Sequence, residues 1–242
     1  FCKENFYFSG KIVEWPSQWI KIYPNATYKN RVICVSATSI KGFSVLMTDS
    51  IQDYDLVQHA QCFPLYLYEK NENTDAAQLS FDNMTTGENV TWVKRCAITD
   101  AILSRFKGLY GERVTKEDIF YYIYAVLQCK QYNELYRENL VKEMPRIPML
   151  AHFPDYVRIG RELADLHLNY EKPVSAEELG VTVEMRKEDY TVVDKMRFGK
   201  GKDKSMIEYN PYITIRNIPT KAYDYIVNGK SAIEWIVEQY AV

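Results

Sequence analysis

The side chains best suited to binding chemistry lie in a short run of glycines and basic residues. Two glycines at positions 199 and 201 separate the β-like runs 190–197 and 212–216, a pattern that predicts a hairpin. From residue 194 to residue 204, five cations and two anions give a local charge of +3, whereas the whole chain carries −2. Such an asymmetry is typical of a surface that binds a polyanion such as nucleic acid. The candidate contact residues are Arg197, Lys200, Lys202 and Lys204.

The same pattern has a simpler interpretation. Turns favour Gly and polar residues for local conformational reasons, so the run is also compatible with a solvated hairpin tip that binds nothing. The remainder of the chain is not basic, which excludes a uniformly cationic, histone-like binder. Any nucleic-acid surface must therefore be local, or further positive charge must come from elsewhere in a longer protein.

The periodicity of the apolar residues predicts an α+β fold in three successive parts. Residues 1–91 are β-rich, residues 92–171 have helical spacing, and residues 172–242 are mixed, with a β-hairpin and helices at the C-terminal end. The length of 242 residues suits one large domain, and we expect residues 1–242 to form a single domain excised from a longer protein. Capping boxes predict helix starts after Thr115 and Ser231.

Residue types that catalyse reactions are present without the spacing that catalysis needs. His59, His152 and His167 are far apart, and His167 lies on the apolar side of a predicted helix, where a core histidine is expected. The five cysteines include no Cys-x-x-Cys pair, and neither a phosphate loop nor a dinucleotide turn occurs. We therefore predict a non-catalytic binding domain with no metal and no cofactor in this chain. The lack of a disulfide framework and of a long apolar run predicts a cytoplasmic protein without a membrane partner.

Eight segments along nearly the whole chain form a specific set. They are NRVICVS (30–36), FSVLMTD (43–49), QCFPLY (61–66), IFYYIYA (119–125), LVKEMPRIP (140–148), GRELADLHLNYE (160–171), MRFGKGKDKS (196–205) and AYDYIVNGK (222–230). In this order, they resemble the C-terminal specificity domain of type ISP restriction-modification enzymes. The polar loop of residues 70–91 has no place in this shared pattern.

The resemblance implies that the chain reads DNA sequence for other modules of one polypeptide. Those modules are a nuclease, an ATP-driven translocase and an adenine methyltransferase, which are expected upstream. Double-stranded DNA and the upstream domains are then the expected partners. Two alternatives stay open: a scaffold that docks the upstream domains without reading DNA, and an enzyme with an unrecognised site.

Within this hypothesis the basic hairpin would contact phosphates, and an exposed polar loop would read base edges. The loop at 36–42 connects two apolar runs, 31–35 and 43–47, so we expect it to be exposed; an ordinary solvated turn is the alternative. The candidate base-reading residues in it are Ser36, Thr38, Ser39 and Lys41.

Overall fold

A computed structural model describes residues 19–36, 42–51, 56–57, 59–70, 92–172 and 174–241. The N-terminal part is built mainly of strands, as predicted. The elements are α1 (Trp19–Ile22), β1 (Val32–Ser36), β2 (Val45–Thr48), β3 (Ala60–Pro64), β4 (Tyr66–Lys70) and β5 (Trp92–Cys96). The central strand β1 pairs antiparallel with a neighbour on each side, in the order β2-β1-β3, and a separate antiparallel pair joins β4 to β5.

All five residues of β1 are buried, because apolar clusters cover both faces of the sheet. Ile33 and Val35 belong to the main core with the helices, whereas Val32 and Cys34 pack in a second cluster with α1. This division follows from the two-residue period of a strand. Pro64 ends β3 on the edge of the sheet, where its missing N–H is tolerated.

The middle of the chain is helical. Thr115 and Asp118 form the predicted reciprocal capping box at the start of the most buried helix. Two short helices, and not one continuous helix, follow it over residues 130–140. The helices are α2 (Asp100–Tyr110), α3 (Lys116–Gln128), α4 (Lys130–Leu135), α5 (Arg137–Leu140) and α6 (Phe153–Leu168).

The helices α3 and α6 pack closely against each other at Gly160. Gly160 of α6 faces the backbone of Tyr121, and a Cβ atom built on Gly160 would lie 2.0 Å from the Tyr121 carbonyl oxygen. Phe153, Val157 and Ala164 are buried on the same side of α6. A glycine at this position therefore lets two helix backbones approach to a distance that any larger residue would prevent.

The C-terminal part contains the predicted hairpin within a larger sheet. The elements are β6 (Thr182–Met185), β7 (Arg197–Gly199), β8 (Asp203–Asn210), β9 (Ile213–Arg216), a 3-10 turn (Thr220–Tyr223), β10 (Ile226–Val227), β11 (Lys230–Ser231) and α7 (Ala232–Gln239). Four of the strands form an antiparallel sheet in the order β6-β9-β8-β7. Only the last residue of the predicted β-like run 190–197 is in a strand.

One face of this sheet packs on a small core, and the other is polar. Phe198, Ile207 and Ile215 lie side by side across β7, β8 and β9 and pack against Val237 of α7.

Within the described residues, no helix is long and apolar enough to cross a membrane.

Candidate nucleic-acid interface

The β7–β8 hairpin forms the turn that the glycine pattern predicted. Gly201 and Lys202 both have positive φ angles, 76° and 64°, so the chain reverses through the left-handed region. Lys200 and Lys202 are exposed at the tip. Neither lysine forms an ion pair with any residue that the structure describes, so both ammonium groups are available to an anion.

Arg197 does not lie on the tip. It begins β7, and its guanidinium donates to Glu208 on β8, with 2.6 Å between Arg197 Nη2 and Glu208 Oε2. The arginine side chain is nevertheless 72% exposed. Arg197 is therefore an ion-paired residue on the surface of the sheet, and not the unpaired cation at the hairpin tip that the sequence suggested.

Lys204 is also paired. Its ammonium donates to Glu234 of α7 at 2.6 Å and lies 5.2 Å from the ring centroid of Tyr223. Glu234 is the partner of the N-cap residue Ser231 in the capping box of α7, where it accepts from both the backbone N–H and the hydroxyl of Ser231. The Lys204 ammonium, followed by these bonds from Ser231, lowers the pKa of Glu234 to about 2. Lys204 thus joins the hairpin to the last helix.

The two carboxylates change the electrostatics of the hairpin. Adding Glu208 and Glu234 to the local sum lowers it from +3 to +1. The positive potential is consequently concentrated at the tip, on Lys200 and Lys202, and not spread over all four predicted cations.

The expectation that Ser36 is exposed for base reading is wrong. Ser36 ends β1 with an exposed fraction of 2%, and its hydroxyl accepts from the Ser44 N–H at 2.9 Å. The Ser36 N–H in turn donates to the Ser44 carbonyl. A side chain buried in this arrangement has no access to DNA. The other three residues of the loop, Thr38, Ser39 and Lys41, lie outside the described residues.

Sequence reasoning missed the polar face of the C-terminal sheet. Register partners place Arg197, Glu208, Thr214 and Glu184 in one row across β7, β8, β9 and β6. Beside this row, Arg216 Nε lies 2.8 Å from Glu184 Oε1. The alternation of apolar and polar residues in 182–185 and 213–216 was the signal for such a face.

A second group of charged and aromatic side chains lies at the opposite end of this sheet from the hairpin tip. The Lys187 ammonium is 5.3 Å from the ring centroid of Tyr212 and 5.9 Å from that of Tyr190. Arg186 precedes it and is joined through its backbone N–H to the Tyr212 carbonyl. Both basic side chains are exposed, and so are Glu188 and Asp189, which follow them and make the four-residue run neutral in sum. The combination of aromatic rings and cations suits contact with a nucleic-acid backbone.

Comparison with known families and structures identifies this fold. The model of the Type ISP C-terminal specificity domain matches residues 1–242. The chain belongs to the Type ISP specificity-domain family. This confirms the resemblance found in the sequence. A search of curated proteins gives no significant match.

Solved structures agree with the family assignment. The ATP-dependent Type ISP restriction-modification enzyme LlaBIII bound to DNA is 34% identical, with a TM-score of 0.76 over 97% of this chain. A nuclease-deletion mutant of the Type ISP enzyme LlaGI, in complex with a DNA substrate mimic, is 33% identical, with a TM-score of 0.67 over 92% of this chain. The DrdV–DNA complex is 29% identical, with a TM-score of 0.72 over 96% of this chain. The specificity domain covers 14%, 15% and 22% of these three solved chains.

The histidine on α6 of the specificity domain, predicted as a core histidine, is half-buried and hydrogen-bonded at the margin of the core. His167 Nδ1 shares a hydrogen bond with the Tyr124 hydroxyl, and the His167 ring lies 4.9 Å from that of Tyr225. Burial lowers the pKa of His167. In the part of the chain that the structure describes, no cluster of three or more His, Cys, Asp or Glu residues is placed to hold a metal ion.

Proposed function

We propose that this specificity domain binds double-stranded DNA and selects the target sequence of a single-chain restriction-modification enzyme. The observation that carries the proposal is the 34% identity and the TM-score of 0.76 to LlaBIII, which was solved bound to DNA. The free lysines at the hairpin tip provide a physical basis for backbone contact.

In this proposal the domain is non-catalytic and holds no cofactor. The relatives named as restriction-modification enzymes are several times longer than this chain, which leaves room for catalytic modules elsewhere. Methyltransferase, translocase and nuclease modules of the same polypeptide would act on the DNA that the specificity domain holds. Such an enzyme would work in the cytoplasm, where its DNA substrate is.

We assign phosphate contact to Lys200 and Lys202. Both are exposed and lack carboxylate partners among the described residues, whereas Arg197 and Lys204 are held by Glu208 and Glu234. A cationic group that is already paired gains less from a phosphate, because it must first give up its carboxylate.

The test is the selection of bound duplexes from a random pool by the complete polypeptide, followed by affinity measurements at several salt concentrations. One variant carries Lys200→Ala and Lys202→Gly, the glycine matching the positive φ at 202. Each lost phosphate contact lowers the slope of log affinity against log salt by about 0.9, so we expect a decrease of about 1.8. The matched control, Lys142→Ala with Lys172→Ala, removes the same charge from other exposed positions.

An enriched sequence together with a reduced slope only in the hairpin variant is the expected result. Enrichment with equal slopes of log affinity against log salt in both variants would support the DNA-reading function but show that the phosphate contact lies elsewhere than the hairpin tip. If the unaltered polypeptide enriches no sequence at any salt concentration, the proposed function is wrong, and a scaffold role takes its place.

A further inference from the structure

The polar face of the β6–β9 sheet has the charge distribution that a DNA groove requires. Its centre is neutral, since the cations Arg197 and Arg216 are balanced by Glu208 and Glu184. Base edges in a groove are neutral arrays of hydrogen-bond donors and acceptors, so a surface that reads them needs both kinds of group. The four charged side chains and Thr214 provide donors and acceptors in close proximity.

Exposed cations lie at both ends of the same sheet. Lys200 and Lys202 lie beyond the start of β8, whereas Arg186 and Lys187 lie beside its end, next to Tyr212, and are followed by the exposed carboxylates of Glu188 and Asp189. The eight residues of β8 separate these ends by about 23 Å at about 3.3 Å per residue. A major groove is about 12 Å wide and is bordered by a phosphate backbone on each side. The sheet is therefore longer than the groove is wide, so that Lys200 and Lys202 can lie over one backbone while the neutral centre faces the bases.

The opposite face of the sheet makes the polar face rigid. Ile207 and Ile215 anchor β8 and β9 in the core with Val237, so the polar side chains project from strands with fixed positions. Rigid elements hold recognition groups more accurately than loops do, and groups that are already ordered lose less freedom on binding.

Arg216 and Glu184 are the best placed pair on this face. Both side chains are 43% exposed, so they are anchored but accessible. Arg216 has five N–H donors, and its contacts with Glu184 and with Met206 Sδ, 2.9 Å away, occupy at most two of them. Glu184 keeps a second carboxylate oxygen. An arginine donates in pairs to guanine, and a glutamate accepts from the amino group of cytosine.

We infer that the polar face of the β6–β9 sheet lies in the major groove of the target, with Arg216 and Glu184 as specificity-determining residues for a G·C base pair. The inference rests on the proposed function and adds to it the surface that reads the sequence. Lys200 and Lys202 then set the position of the sheet on the backbone, and Arg216 and Glu184 distinguish the base pair beneath them.

The test compares the sequences selected by the complete enzyme and by two variants. In the first, Arg216→Ala and Glu184→Ala remove the pair. In the second, Arg216→Glu and Glu184→Arg exchange it, which preserves the ion pair and the net charge but reverses donor and acceptor. The matched control is Arg158→Ala with Glu162→Ala, another exposed ion pair, 3.0 Å long, on α6. Thermal unfolding of each complete enzyme shows whether it is folded.

We expect the first variant to lose discrimination at one or two base pairs, roughly ten- to hundredfold, with the remaining positions and the salt slope unchanged. The exchanged pair should prefer a different base pair at the same positions, and the control should select the original site. If the exchanged variant selects the original sequence with the original discrimination, the inference is overturned, even if the alanine variant fails to fold. If the unaltered enzyme selects no sequence, the proposed function itself fails.

Discussion

The packing of α6 against α3 predicts that Gly160→Ala is strongly destabilising. The new Cβ would lie 2.0 Å from the Tyr121 carbonyl oxygen and 2.7 Å from its carbon, whereas an ordinary contact begins at 3.4 Å. The obstructing atoms belong to the backbone, so no side-chain rotation relieves the clash. The helices must separate by about 1.4 Å, which disrupts the contacts of Phe153, Val157 and Ala164.

The size of the effect follows from two opposing terms. Overpacking and the lost contacts cost about 3–4 kcal/mol, at or above the upper end of usual overpacking costs. The higher helix propensity of alanine returns about 1 kcal/mol. We therefore expect a net loss of about 2–3 kcal/mol in the free energy of unfolding, which lowers the melting temperature by about 5–10 °C for a chain of this length.

Urea-induced unfolding of the wild-type and variant chains measures this change. Gly108→Ala in α2 is the matched control, because no atom lies within 4 Å of the added Cβ. The control should be as stable as the wild type, or more stable by up to about 1 kcal/mol. If Gly160→Ala unfolds at the same urea concentration as Gly108→Ala, the inference that α3 and α6 approach closely at Gly160 is wrong.

Two further predictions concern pH. Because the folded pKa of Glu234 is about 2, below its ordinary 4.5, its stabilising contribution is complete above about pH 4.5 and is lost as the pH falls towards 2. Glu234→Gln keeps a capping acceptor but cannot ionise, so it should not show this loss. The difference in the free energy of unfolding between wild type and variant, measured by urea unfolding, should therefore shrink from pH 5.5 to pH 2.5. A constant difference would contradict the Lys204–Glu234 pairing. His167 has a lowered folded pKa, so the unfolded chain binds more protons and stability falls as the pH decreases below 6.5. His167→Gln should weaken that fall between pH 8 and pH 5.5, measured by thermal unfolding, and an unchanged slope would show that His167 is not buried as a neutral ring.

Local signals predicted the elements well because their causes lie within a few residues. The capping boxes at Thr115 and Ser231 are formed as expected, and the periodic apolar residues of α3 are buried. The glycines at 199 and 201 correctly indicated a hairpin. These features depend on backbone conformation and on neighbours three or four residues away.

The sequence did not reveal which charges would be neutralised by folding. Arg197 meets a partner 11 residues away and Lys204 one 30 residues away, so a sum over neighbouring residues overestimates the free charge of the hairpin. Ser36 was misjudged for a related reason, since its partner Ser44 meets it only once β1 and β2 pair. The polar sheet face likewise exists only after β6 pairs with β9.

The burial of β1 on both faces has a consequence for the uniqueness of the N-terminal sheet. A shift by one residue would exchange Ile33 and Val35 for Val32 and Cys34, and apolar residues would still meet apolar surroundings. The register of β1 is therefore determined by the two buried polar residues that flank the apolar run. Asn30 donates to the carbonyls of Ile22 and Tyr66, and Ser36 bonds to Ser44.

A shifted strand would carry both polar side chains away from their partners, at a cost of about 1–3 kcal/mol for each buried group left unsatisfied. Hydrophobicity accordingly explains why β1 is inside the domain, but not which of its possible alignments is adopted. The register of β1 is determined by the side-chain amide of Asn30 and the hydroxyl of Ser36. Even conservative replacements of these two residues would therefore allow alternative pairings of the sheet to compete with the native one.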